Sequence, residues 1–177
     1  MANVKHLLIK LTNLKPQGFL TGFLAGFIYF SFIFWWFWDL YPLDSFGLNN
    51  RFVAGLLLGF IFPIYVSVMA FSYGIFGFLV KKFIDKNYSK YLVAFLIASA
   101  WTLAEYFRSI FFSVALYGKG GVIGPHWTMG NLAYWLIDVD FLSLTASVWG
   151  IYGINFMVAV LFSSLVLLFF KKFNKKI

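Results

Sequence analysis

Apolar residues in this chain come in long blocks separated by short polar stretches. Gly18 to Trp38 carries no charged residue, nor does Phe52 to Val80. Tyr91 to Tyr117 is interrupted only by Glu105 and Arg108, and Phe141 to Phe170 is again free of charge. A helix needs about 20 apolar residues to cross roughly 30 Å of hydrocarbon. The pattern therefore predicts four crossings, at 18–38, 52–80, 91–117 and 141–170. The second is long enough to tilt or to kink at Pro63. Gly118 to Asp140 is too polar and Gly-rich for a span, and it reads as a surface loop or a re-entrant segment around Val122 to Ile137. The first block exceeds the roughly 7–15 apolar residues of a signal peptide and ends in Trp35, Trp36, Phe37 and Trp38, so it reads as a retained helix.

The expected fold is an all-α integral membrane protein. It is a single transmembrane domain over residues 1–177, a bundle of about four transmembrane helices with a Gly-rich outer loop or re-entrant segment. Composition agrees: 62% of the 177 residues are hydrophobic, 24% aromatic and only 11% charged. Soluble domains carry about 25% charged residues, and disordered chains are poor in aromatics, so both classes are excluded. The chain has no cysteine, which removes disulfides, Cys-ligated metals and thiol nucleophiles from these residues.

The net charge of +8 acts as a topology signal. Lys5, Lys10 and Lys15 precede the first span, Lys81, Lys82, Lys86 and Lys90 fill the second connection, and Lys171, Lys172, Lys175 and Lys176 close the chain. The opposite side holds Arg51 and Lys119 against Asp39, Asp44, Asp138 and Asp140. Basic short loops stay cytoplasmic, so a multi-pass protein with both termini inside is expected. Attraction to anionic inner-leaflet lipid follows. No basic face exists apart from these flanks, so nucleic acid is not an expected partner. Trp38, Tyr41, Trp127, Tyr134 and Trp135 mark the outer interfacial belt.

Gly18, Gly22 and Gly26 form two G-x-x-x-G steps, and Gly55 with Gly59 forms another. Such spacing lets backbones approach closely in lipid, within one chain or between two. Glu105 and Arg108 are the only charges inside a span. Three apart on a helix, they share a face and can pair. At about 1.5 Å per residue from Tyr91, they lie roughly 21 and 25 Å in, toward the outer leaflet. Two readings stay open: a polar site for lipid headgroups, or a structural ion pair locking the third helix to its neighbours. The segment Gly118–Trp127 lacks the spacing of a phosphate loop. His126 has no second ligand at metal spacing, and Asp138-Val-Asp140 reads as solvated loop acids rather than a D-x-D metal motif. No metal, cofactor or catalytic residue is expected from the chain itself.

At these residues a resemblance enters. Trp101-x-x-x-Glu105-x-x-Arg108 resembles the W-x-x-x-E-x-x-R signature in the membrane part of apolipoprotein N-acyltransferases. Gly150-Ile-Tyr152-Gly153-Ile-Asn155-Phe156 is similar to that family's G-x-Y-G-[LI]-[SN]-F helix start. Gly22-Phe-Leu-Ala-Gly26-Phe, running into Trp35 and Trp36, is similar to its G-x-x-x-G-F…W helix. Gly124-Pro125-His126-Trp127 is a loose counterpart of G-F-P-W, set further from the arginine. The resemblance covers roughly Gly18 to Phe170. The family's two leading helices have no counterpart here, nor does its nitrilase-like catalytic domain with the Glu, Lys and Cys that form the acyl-enzyme.

The resemblance implies a membrane domain of an enzyme that moves an acyl chain from phospholipid to the N-terminus of a lipoprotein, in the bacterial cytoplasmic (inner) membrane. It implies membrane phospholipid as a partner, and beyond it a nitrilase-like catalytic subunit and a lipoprotein substrate. This chain would then serve as a non-catalytic lipid- or lipoprotein-binding anchor. The alternative is a small transporter, a channel subunit or a membrane assembly factor. Broken helices with midplane charges would favour a transporter, and the midplane here is uncharged.

Overall fold

A computed structural model of the chain describes residues 17–86, 88–116, 128–136 and 139–168. Every regular element among them is helical. Helix α1 is Gln17–Ile33, α2 is Arg51–Asp85, α3 is Lys90–Leu116 and α4 is Asp140–Leu168. Short 3-10 turns occupy Trp35–Leu40, Leu43–Phe46 and Leu132–Leu136. The predicted first block therefore splits, because the α-helix stops at Ile33 and the Trp-rich end winds into a 3-10 turn. The second block is longer than its charge-free core: α2 starts on an Asn50 cap, whose Oδ1 accepts from the Phe52 and Val53 amides at 3.1 and 3.2 Å. That cap satisfies two of the four unpaired amides at a helix start. At about 1.5 Å per residue α2 runs some 52 Å, with Pro63 inside it and no break.

Two helices, α2 and the Leu144–Leu168 part of α4, are long and apolar enough to cross a membrane. Their apolar windows are only 28% and 22% buried within the protein. A core helix of a soluble protein would be mostly covered, whereas here Phe60, Val148, Leu161 and Phe162 are each at least 66% exposed. Exposure of that extent marks faces that lipid or another protein covers.

Helix α1 packs chiefly on α2, α2 on α3, and α3 on α4. Gly18, Gly22 and Gly26 meet α2 at Gly77, Tyr73 and Ala70. A Cβ at Gly22 would overlap the Tyr73 carbonyl, and one at Gly77 the Gly18 carbonyl, so only hydrogen fits at the crossing. Gly55 and Gly59 carry the same spacing and do something else. A Cβ at Gly59 would meet nothing within 4 Å, and one at Gly55 would touch only the Tyr41 ring at 3.8 Å. Among the described residues no helix packs closely on that pair.

The fourth predicted span is interrupted. Gly150 sits at φ 63°, ψ −178° inside α4, a conformation essentially restricted to glycine. The helix is thus a short first piece, 140–149, and a main piece, 151–168, whose 18 residues give about 27 Å of rise.

Candidate functional site: a buried polar cluster where four helices and a connecting segment meet

Glu105 and Arg108 project from α3 on one face, as their spacing predicts. Arg108 Nη2 donates to Glu105 Oε2 at 2.8 Å. The pair is 1% and 3% exposed, so neither charge faces solvent or lipid. Arg108 Nη1 donates to the Met129 carbonyl at 2.9 Å, and the guanidinium lies 5.1 Å over the Phe30 ring of α1. The Met69 sulfur of α2 lies 3.9 Å from Nη1. One side chain thereby touches α1, α2, its own helix and the segment 128–136. A desolvated cation–π contact contributes about 2 kcal/mol, and hydrogen bonds to charged groups about 1.5–3 kcal/mol.

The connecting segment is tied a second time. Tyr29 of α1 donates its hydroxyl proton to the Gly130 carbonyl at 2.9 Å. Asn131 is 1% exposed and its Oδ1 accepts from the Ala133 amide at 2.9 Å, opening the 3-10 turn. Consecutive carbonyls, of Met129 and Gly130, are therefore held by an arginine from α3 and a tyrosine from α1.

Helix α4 joins through Tyr152, whose hydroxyl is 2.6 Å from Ser109 Oγ. Its ring packs edge-on against Tyr106 with centroids 5.3 Å apart. Ser109 also donates to the Tyr106 carbonyl at 2.8 Å. The break at Gly150 lets Trp149 fold back so that its Cβ occupies the space a Gly153 side chain would need. Asn155, one turn further, is 2% exposed. Trp101 lies one turn below Glu105 and packs edge-on against Tyr73 and Phe76, each at 5.1 Å.

Several buried polar atoms have no hydrogen-bond partner among the described residues: Glu105 Oε1, Arg108 Nε, the Tyr73 hydroxyl and the amide nitrogens of Asn131 and Asn155. The Tyr73 hydroxyl lies beside the Glu105 carboxylate, outside hydrogen-bond geometry. The two opposite charges are buried together as one ion pair.

The sequence motifs converge on this cluster. Trp101, Glu105 and Arg108 lie within it; Tyr152 joins it through Ser109, with Gly150, Gly153 and Asn155 shaping that turn of α4. Gly124 and Trp127 lie outside the described residues, as do His126, Lys119, Asp138 and the loop Gly118–Trp127. Sequence reasoning missed Tyr29, Phe30, Met69, Tyr73, Ser109 and the Met129–Gly130 carbonyls. A hydroxyl or amide inside an apolar block (Tyr29, Tyr73, Ser109) was the available signal.

The model of the apolipoprotein N-acyltransferase N-terminal domain matches residues 4–165. The chain belongs to this family. Among curated proteins and among solved structures nothing matches. The match takes in all the motif positions above, and with the two exposed apolar helices it makes the chain an apolipoprotein N-acyltransferase-related membrane domain.

Proposed function

We propose that the four helices form a transmembrane bundle of the bacterial inner membrane with both termini cytoplasmic. In this reading the chain is a non-catalytic part of the lipoprotein acyl-transfer apparatus. It holds a fixed outer-face platform against which a separate nitrilase-like catalytic subunit, phospholipid and lipoprotein are brought together. The lysines at the start, at the α2–α3 connection and at the end of the sequence support the orientation. The observation that carries the role is the double fastening of the Met129 and Gly130 carbonyls by Arg108 and Tyr29. These ties fix the shape of the segment that connects α3 to α4. Glu105 then serves to aim Arg108, in preference to a headgroup-binding role.

The test incubates the purified chain with phospholipid and a diacylated lipopeptide and follows the triacylated product by mass. The chain alone is expected to give none, since it has no cysteine to carry an acyl group. Turnover by the chain alone would overturn the reading.

A further inference from the structure

Three of the unsatisfied polar groups belong to three different helices at one level of the bundle. Tyr73 of α2 lies beside Glu105 of α3, and the Tyr73 hydroxyl and Glu105 Oε1 are both buried without a hydrogen-bond partner. Asn155 of α4 is 2% exposed, and its amide nitrogen has no partner either. The register of α3 and α4 gives its place. Ser109 bonds to Tyr152, and Ser163 donates to the Ala94 carbonyl at 3.3 Å, so the two helices run antiparallel. Asn155 follows Tyr152 by one turn, and Glu105 precedes Ser109 by one turn. Tyr152, Asn155 and Ser163 also recur at the spacing of a single helix face, the face turned to α3. Asn155 and Glu105 therefore stand opposite each other across the seam.

We propose that a water molecule is bound within the bundle between the Tyr73 hydroxyl, Glu105 Oε1 and the Asn155 amide. The chemistry of the three groups selects it. An amide nitrogen only donates, an ionised carboxylate oxygen only accepts, and a tyrosine hydroxyl does either. An anion would be repelled by the carboxylate, and a cation would meet a charge that Arg108 already neutralises. Water donates to Glu105 and accepts from Asn155 in the same place. Buried waters make about three hydrogen bonds to groups the protein leaves unsatisfied, and three such groups converge here. Tyr73 and Glu105 are close without being bonded, the relation that a bridging water creates. Helix α2 packs on α3, and α3 on α4, so the water links α2 to α4 across the Glu105 carboxylate. The site depends neither on the acyl-transfer reading nor on which way the chain faces in the membrane.

The test uses the full chain in nanodiscs and a brief X-ray pulse, which turns water into hydroxyl radicals where the water stands. Mass analysis then reads the oxygen added to each side chain. Tyr73 is expected to be oxidised several-fold faster than Phe34 and Phe62, which belong to the same buried cluster, after correction for the reactivity of each ring. Asn155→Leu removes the amide donor at similar size and should cut Tyr73 oxidation roughly tenfold, the occupancy lost with one hydrogen bond. Oxidation of Phe34 and Phe62 should stay as in the unaltered chain. Asn155→Met serves the same purpose if the leucine variant fails to fold. Tyr73 as protected as Phe34 and Phe62 in the unaltered chain would overturn the proposal. So would Tyr73 oxidation that survives a folded Asn155 variant, because radicals would then be reaching the ring from outside the bundle. Failure here leaves the acyl-transfer reading standing, and turnover by the chain alone leaves the water site untouched.

Discussion

The two ends of the bundle are held together by different forces. At the lysine-rich end α1 and α2 touch backbone to backbone through Gly18, Gly22 and Gly77. At the other end the fastening is polar, through Arg108, Glu105, Tyr29, Ser109 and Tyr152. The difference follows from the solvent. Lipid tails are as apolar as leucine, so burying leucine between helices gains little in a membrane. Close packing of small residues and buried hydrogen bonds are what remain. Packing of small residues holds two helices and nothing else. Polar bonds reach further, and they are used where a connecting segment has to be held as well as a helix.

The contrast can be broken most severely at the ion pair. Glu105→Gln or Arg108→Gln alone leaves a buried charge unpaired, a loss of about 3–5 kcal/mol. The double change should recover part of it. Thermal unfolding in detergent or nanodiscs would show this as non-additive melting shifts, and strict additivity would mean the two side chains are not coupled.

At the other end, Gly22→Leu forces a side chain into the Tyr73 carbonyl and should cost about 3 kcal/mol, at the upper end for overpacking. Gly59→Leu, at the same kind of motif with open space around it, should melt within about 0.5 kcal/mol of the unaltered protein. Equal losses at the two glycines would remove the distinction drawn between the two motifs. The smallest effect is expected at Tyr152→Phe, about 1 kcal/mol for one hydrogen bond. Ser109 retains its bond to the Tyr106 carbonyl.

How much of this could be read from the sequence depended on range. The helices were legible because the membrane demands unbroken apolar length, and the Glu105–Arg108 pairing because three residues make nearly one helical turn. The partners of that pair were not legible. Phe30 and Met69 lie 78 and 39 residues away from Arg108 in the chain, and the Met129 bond is made by a backbone carbonyl, which leaves no trace in residue type. Gly18-Gly22-Gly26 and Gly55-Gly59 look alike in sequence, yet only the first set is opposed by a second glycine helix. The break at Gly150 was hidden for a related reason, because glycine is ordinary in membrane helices and only its positive φ distinguishes it.

Hydrogen exchange on the intact protein and on Arg108→Gln, followed over residues 128–136 and over the α1–α2 crossing, tests the central claim most directly. If Arg108 fastens the connecting segment, the amides of Asn131 to Leu136 exchange faster in the variant while those around Gly22 and Gly77 keep their protection. Unchanged protection across 128–136, or equal loosening of both regions, would contradict the account.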